Sequence, residues 1–116
     1  MLELQPTDNL ADSATPEAML RSHCDLLLEM ARKYIWWMPP EEAIAYPTRI
    51  VAQVMNTGIF RDSARVAESL GDDCLRMVLK TAEAGQFNER SWHYWHYRLG
   101  LAAPDRVPPM PVRRFE

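Results

Sequence analysis

Glycine is scarce in this chain of 116 residues: it occurs four times, and never in a cluster that would form a phosphate-binding loop. Cysteine occurs twice, at Cys24 and Cys74, with no metal-ligand spacing, and we expect a reducing compartment in which both thiols stay free. There is no run of about 18 apolar residues, so no membrane-spanning helix is expected. No arginine-led apolar segment opens the chain, and we therefore expect no signal peptide and a cytoplasmic location.

Most of the sequence also has no excess of positive or negative charge. The net charge is −3, and the acidic residues near the start account for all of it, with no basic residue beside them. These acidic residues are Glu3, Asp8 and Asp12. The rest of the chain is neutral overall, so we expect no general attraction to nucleic acid or to an anionic membrane. We interpret residues 1–14 as a flexible acidic arm.

Apolar residues recur at steps of three and four along residues 15–101, and this spacing predicts a helical domain. The first helix is predicted to run from Pro16 to Ile35 or Trp37, and Pro39-Pro40 follows its end. Four more helices are predicted over PPEEAIAYP, TRIVAQVMNTG, RDSARVAESLG and DCLRMVLKTAEAG. No pair of strands is evident, so the predicted fold class is all-α, a compact array of five or six short helices with an extended proline-rich tail.

Capping residues predict where the later helices begin and end. Asp72 is expected to cap the fifth helix, and Gly85 is expected to end it. Asn88 is expected to cap the last helix, which stops at Gly100. Residues 102–116 are rich in proline and arginine, cannot continue a helix, and favour extended polyproline II structure.

The last predicted helix carries the stretch SWHYWHYRLGL, in which two Trp, two Tyr and two His fill six consecutive positions. One arc of the helical wheel holds Trp92, Trp95, His96 and Leu99. The opposite face holds His93, Tyr94 and Tyr97. We interpret the first arc as a core face that packs against the helices carrying Val54 and Val78. The second is amphipathic and suits a partner surface.

Two other interpretations of this stretch stay open. His93 and His96 are three positions apart and allow a shared metal ion, but a zinc site needs at least a third protein ligand. The aromatic rings suit stacking on single-stranded nucleic acid, but only Arg90 and Arg98 lie near enough in sequence to provide a basic groove.

A DNA-binding regulator of helix-turn-helix type is the main alternative function. Ala67 and Gly71 have the spacing of the small residue and the turn glycine in such motifs. The second helix begins with Asp72-Asp73, which would repel phosphate where a recognition helix meets DNA.

A small enzyme or metal-binding protein is a further alternative. However, the sequence has no nucleophile elbow and no zincin histidine pair, and we predict no catalytic residue, metal or cofactor.

Three blocks of the sequence together resemble one group of proteins. They are WWMPPEEAIAYPTRIVAQVMNTG, LGDDCLRMVLKTAEAGQFNERSWHYWHYRLGL and PPMPVRRF, and they cover about Trp36 to Phe115. The chain resembles small bacterial helical proteins that are often encoded beside abortive-infection-type nucleotidyltransferase toxins. The resemblance implies an antitoxin-like partner of such a toxin and carries over no catalytic residues. Residues 1–35 look like an extension beyond the shared blocks.

The predicted function is a non-enzymatic protein-binding module, because aromatic residues and arginine are favoured at interface centres. The predicted partner-binding residues are Trp36, Trp37, Tyr94, Tyr97, Pro109, Pro111, Arg113, Arg114 and Phe115. The tail docks on a partner or folds back onto its own helices, and the sequence leaves both placements open. A homodimer is also expected, because the first helix carries Leu20, Leu28 and Ile35 beyond one apolar stripe.

Overall fold

The computed structural model describes residues 15–103 and 106–112, and within these ranges all regular structure is helical. The helices are α1 (Pro16–Ser22), α2 (Cys24–Tyr34), α3 (Pro40–Ala43), α4 (Pro47–Thr57), α5 (Phe60–Leu70), α6 (Asp72–Lys80) and α7 (Glu89–Arg98). The predicted all-α fold is confirmed. No helix in these ranges is long and apolar enough to cross a membrane. The predicted acidic arm, residues 1–14, lies outside the described residues.

Helix α4 lies at the centre of the core because it is apolar on more than one side. Ile50, Val51 and Val54 share one stripe and are fully buried, and Ala52, on the opposite side of the helix from Ile50, is buried as well. The helix packs against α2, α5, α6 and α7. The other helices bury one face each against this central element, so α4 fixes the positions of the loops around it.

The first predicted helix is in fact two helices, and the prediction of one continuous helix was wrong. α1 ends at Ser22 and α2 begins at Cys24, with His23 between them at φ −117° and ψ 40°. The Ser22 hydroxyl and the His23 Nδ1 both hydrogen-bond the Met19 carbonyl, at 3.1 and 2.9 Å. In an unbroken helix that carbonyl would accept from the backbone N–H of His23, which here bonds the carbonyl three residues back. Competition for one backbone acceptor therefore accompanies the break.

Helix α6 also differs from its predicted bounds. Its cap is the glycine before Asp72, at φ 88°, so Asp72 is the first helical residue and not the cap. The helix ends at Lys80 rather than at Gly85. The Gln86 side-chain oxygen accepts from the backbone N–H of Glu83 at 2.9 Å and stabilises a turn where a further helical turn was expected.

Helix α7 joins the core through its two tryptophans. Trp92, Trp95 and Leu99 are all buried, which confirms the predicted core face. The Trp95 indole N–H donates to the Met55 carbonyl at 2.8 Å and ties α7 to α4. Asn88 caps the helix as predicted, since its side-chain oxygen accepts a first-turn backbone N–H at 2.8 Å.

Residues 106–112 lie against α6 and α7 and form no helix. Val107 and Met110 pack on the core, and the Trp92 indole N–H donates to the Pro108 carbonyl at 2.8 Å. The sequence left open whether the tail docks on a partner or on its own helices. Residues 106–112 lie on the chain's own helices.

Most of the apolar surface on which the homodimer prediction depends is buried by other residues of the same chain. Leu20 and Ile35 are buried, and Leu28 is half-buried. The exposed apolar residues left in this region are Trp36 and Trp37. The homodimer stays a prediction, with a narrower basis than the sequence suggested.

Candidate partner-binding site

Two adjacent tryptophans project into solvent from the loop between α2 and α3. Trp36 is 81% exposed and Trp37 is 54% exposed. Their rings meet edge to face, with centroids 5.5 Å apart, which is a favourable arrangement for an aromatic pair. Met38 follows them and is half-buried. We call Trp36, Trp37 and Met38 the tryptophan face.

The backbone presents the tryptophan face because both ends of its loop are fixed. At one end, Ile35 is buried and its N–H donates to the Ala31 carbonyl at 2.8 Å, which closes α2. At the other end, Pro39 is extended, with φ −62° and ψ 146°, and Ala43 of α3 is buried. Proline cannot continue α2 and also restricts the residue before it. The residues between these two anchors therefore turn outward.

A cleft of about 300 Å³ lies beside the tryptophan face, between the α2–α3 loop, α4 and residues 83–86. Its apolar walls include Ile35, Trp37, Met38, Ala43 and Ile50. Its polar rim includes Tyr46, Arg49, Gln53, Glu83 and Gln86. Trp37 and Met38 belong to both features, so the face and the cleft form one surface. We call this cleft the aromatic cleft; its volume suits a few side chains of a partner.

Arg49 is the positive charge of the aromatic cleft. Its guanidinium lies 4.7 Å from the centroid of the Tyr46 ring, and its Nε lies 3.5 Å from Oε1 of Glu83. The two side chains of this ion pair are 53% and 62% exposed, so the pair is screened by solvent and adds little stability. Arg49 can therefore exchange Glu83 for a carboxylate of a partner while its stem stays on the Tyr46 ring.

A buried carboxylate anchors the end of α2 from which the tryptophan face extends. Asp62 of α5 is 2% exposed; it accepts from the Tyr34 hydroxyl at 2.5 Å and pairs with Lys33 Nζ at 2.6 Å. The hydrogen bond from Lys33, followed by that from Tyr34, lowers the pKa of Asp62, because both bonds favour the charged carboxylate. Burial, followed by the bond to Asp62, raises the pKa of Tyr34. We call these three residues the Asp62 clamp.

The Asp62 clamp brings a second exposed apolar pair to the same end of the molecule. The Tyr34 hydroxyl accepts from the backbone N–H of Ile59 at 3.1 Å, so the start of α5 lies beside the end of α2. Ile59 and Phe60 are both exposed. The start of α5 therefore adds two exposed apolar side chains beside the end of α2.

The other predicted partner-binding residues lie on different elements. Tyr94 and Tyr97 are exposed on α7, on the side away from the core, as the helical wheel indicates. Pro109 is exposed and Pro111 is half-buried, and both line a depression beside α7. Arg113, Arg114 and Phe115 lie outside the described residues. The predicted residues that the structure describes thus fall on the α2–α3 loop, α7 and the tail.

Sequence reasoning missed Tyr46, Arg49 and Asp62. Tyr46 and Arg49 are three positions apart at the start of α4, and this helical spacing is the signal that could have paired them. Asp62 looks like an ordinary acidic residue in the first turn of a helix. Its burial depends on Tyr34, 28 positions away, and no local pattern encodes that contact.

Both histidines of the aromatic stretch are engaged within their own helix. The Nδ1 of His93 hydrogen-bonds the Glu89 carbonyl at 2.9 Å, and the Nδ1 of His96 hydrogen-bonds the Trp92 carbonyl at 2.7 Å. Across the part of the chain that the structure describes, no group of three or more His, Cys, Asp or Glu residues is arranged to hold a metal ion.

Helices α5 and α6 pack against each other across the turn at Gly71. Asp72 and Asp73 are exposed at the N-terminal end of α6, where a recognition helix would meet phosphates. Asp73 also pairs with Arg76 at 2.7 Å, so a basic residue of this helix already has a carboxylate beside it.

Comparison with protein-family models, with curated proteins and with solved structures finds no match to this chain. A functional proposal therefore depends on the geometry of the described residues and on the resemblance of the sequence blocks.

Proposed function

We propose that this chain is a non-enzymatic protein-binding module that serves as the antitoxin-like partner of a nucleotidyltransferase toxin. The observation that carries the protein-binding part is the exposed tryptophan face beside the aromatic cleft. Trp, Tyr and Arg are the residues most enriched where interfaces gain their binding energy, and Trp37, Tyr46 and Arg49 meet here. The identity of the partner rests on the sequence resemblance.

The tryptophan face suits binding because it is ordered before a partner arrives. Ile35 and Pro39 fix the ends of its loop, and the Asp62 clamp holds the end of α2. A backbone that is already fixed loses little conformational entropy on association, so more of the area that its side chains bury contributes to affinity. The adjoining cleft offers a partner an apolar pocket with one arginine at its rim.

The test is a calorimetric titration of the full chain with the nucleotidyltransferase encoded next to its gene. We expect saturable binding, and we expect the double variant Trp36→Ala/Trp37→Ala to weaken it by at least about thirtyfold, or ~2 kcal/mol. Tyr94→Ala/Tyr97→Ala is the comparison variant, because it removes two exposed aromatic rings that the sequence also assigns to a partner surface, on another element. A smaller loss of binding in this variant assigns the main surface to the α2–α3 loop. Both variants should keep the helical circular dichroism of the parent chain.

Loss of toxin activity is the second measurement. We expect the parent chain to suppress nucleotidyl transfer by the toxin, and the tryptophan double variant to suppress it less at equal concentration. Binding without suppression would contradict the antitoxin-like role but not the binding surface. Equal loss of binding in both aromatic variants would contradict the assignment of the surface to the α2–α3 loop.

A further inference from the structure

The segment 106–112 crosses a groove whose walls belong to α6, the turn that follows it, and α7. These walls include Leu79, Lys80, Ala82, Trp92 and His96. The central contact is the hydrogen bond from the Trp92 indole N–H to the Pro108 carbonyl, at 2.8 Å. An aromatic side chain that offers a ring to prolines and an N–H to a prolyl carbonyl is the usual apparatus for recognising polyproline II peptides.

The exposure pattern of the segment fits polyproline II structure. Val107 and Met110 are half-buried and pack on the core, and they are three positions apart, as one turn of that helix requires. Pro108, Pro109 and Val112 are exposed, and Pro111, beside Met110, is half-buried. The segment thus places apolar side chains three positions apart against the groove.

The groove is built independently of the segment that lies in it. The Trp92 ring is held between Phe87, with centroids 5.8 Å apart, and His96, with centroids 4.4 Å apart. His96 is buried, and its Nδ1 donates to the Trp92 carbonyl at 2.7 Å. These contacts fix the direction of the indole N–H without using any atom of the tail.

The segment does not fill its groove. A depression of about 340 Å³ remains between the helices and the edges of Pro108, Pro109 and Pro111. The described contacts that hold the segment are the Trp92–Pro108 hydrogen bond, a backbone hydrogen bond from Arg106 to Ala103 at 2.9 Å, and the half-buried residues Val107, Met110 and Pro111. A short tether adds an effective concentration only in the millimolar range, so a held segment of this kind can be displaced by a competitor.

We propose that the α6–α7 groove is a binding site for extended proline-rich peptides and that residues 106–112 are its replaceable occupant. The ligand class is a peptide with apolar residues three positions apart around a Pro-Pro pair, as in RVPPMPV of this chain. This site goes beyond the proposed function, because it uses neither the tryptophan face nor the aromatic cleft. Failure of one assignment leaves the other standing.

The test is a nuclear magnetic resonance titration of the ¹⁵N-labelled full chain. The unlabelled competitor is the capped heptapeptide of residues 106–112, added to about 5 mM, above the effective concentration of the tether. We expect the amide signals of Val107, Met110 and Val112 to move towards their free positions as the peptide replaces them. The indole N–H signal of Trp92 should stay in place, because the incoming carbonyl takes over its hydrogen bond. The same peptide with Met110→Asp should displace the segment at least tenfold less well.

A full-length variant makes the test more sensitive. Met110→Asp in the chain weakens the resident segment but leaves the groove intact, so the wild-type heptapeptide should bind at a concentration at least fivefold lower than to the parent chain. Val112→Asp is the matched control, because Val112 is exposed and should not alter peptide binding. Trp92→Phe keeps a ring but removes the donor, and it should weaken peptide binding about fivefold.

Two outcomes would overturn the proposal. Tail signals that stay in place at the highest peptide concentration, together with no peptide binding to the Met110→Asp chain, would make the segment a permanent part of the fold. A shift of the Trp92 indole signal to a solvent-exposed position would mean that the peptide disrupts the groove instead of occupying it.

Discussion

The carboxylate of Asp62 is buried, and both of its described partners come from adjacent positions at the end of α2. Lys33 supplies a charge and Tyr34 supplies a hydroxyl, so the carboxylate is compensated despite its burial. Removing one partner of a buried, hydrogen-bonded charge costs more than the pair contributes, because the remaining group stays desolvated. Asp62 is therefore the residue at which the attachment of α2 to α5 can be tested.

We expect Asp62→Asn to lower the free energy of unfolding by about 1.5–3 kcal/mol near neutral pH. The folded-state pKa of Asp62 lies below its ordinary value, so its contribution is fully present above about pH 4 and is lost as the pH falls through the folded-state pKa. The difference between parent and variant should therefore shrink below about pH 4. Urea unfolding at a series of pH values measures this difference in the free energy of unfolding.

Glu68→Gln is the matched control, because it neutralises an exposed acidic residue on the same helix. It should have little effect on the unfolding free energy at any of these pH values. A gap between parent and Asp62→Asn that stays constant from pH 7 to pH 3 would contradict the charged clamp.

At the scale of helices, apolar spacing predicted where the segments lie better than where they end. The core faces of α5, α6 and α7 follow directly from residues such as Val66, Val78 and Trp95. The ends depend on local competition for backbone groups, which one residue decides. Periodicity continues through His23, but the Met19 carbonyl is bonded by side chains there, and the helix breaks.

The position of the tail depends on packing against the core, which its composition does not predict. Proline content predicted an extended segment, but it did not tell whether Val107 and Met110 would face solvent or the core. We expect deletion of residues 104–116 to lower the melting temperature by roughly 4–8 °C, equivalent to a loss of about 1 kcal/mol. Thermal unfolding followed by circular dichroism measures this.

Deletion of residues 113–116 alone is the matched control for the tail. It leaves Val107, Pro108 and Met110 in place, so it should not produce a comparable drop in melting temperature. If the longer deletion melts with the parent chain, the segment contributes nothing to stability, and docking on a partner becomes the better account of its sequence.

At the scale of the whole molecule, the sequence predicted the exposed tryptophans but not the surface around them. The first helix was predicted to end at Ile35 or Trp37, and Trp36 and Trp37 were predicted to bind a partner. The aromatic cleft needs α4 and the turn at residues 83–86 beside that loop, and these segments are distant in sequence. Tertiary packing therefore created the part of the site that spacing could not predict.

The charge of the whole molecule is the basis on which we predict weak binding to duplex DNA. The net charge is −3, and exposed Asp72 and Asp73 stand where a recognition helix would approach phosphates. We expect the chain to bind duplex DNA no better than about 10⁻⁴ M at physiological salt, measured by fluorescence anisotropy with a duplex from its own promoter and with a scrambled duplex.

Asp72→Lys/Asp73→Lys is the informative variant, because it reverses the local charge without changing the core. It should strengthen binding to both duplexes equally and lose that gain as salt rises, since added lysines attract phosphate without reading bases. Binding by the parent chain that is tighter than about 10⁻⁷ M and selective for its own promoter would contradict this expectation, because a field repelling phosphate would then have to be overcome by base contacts alone.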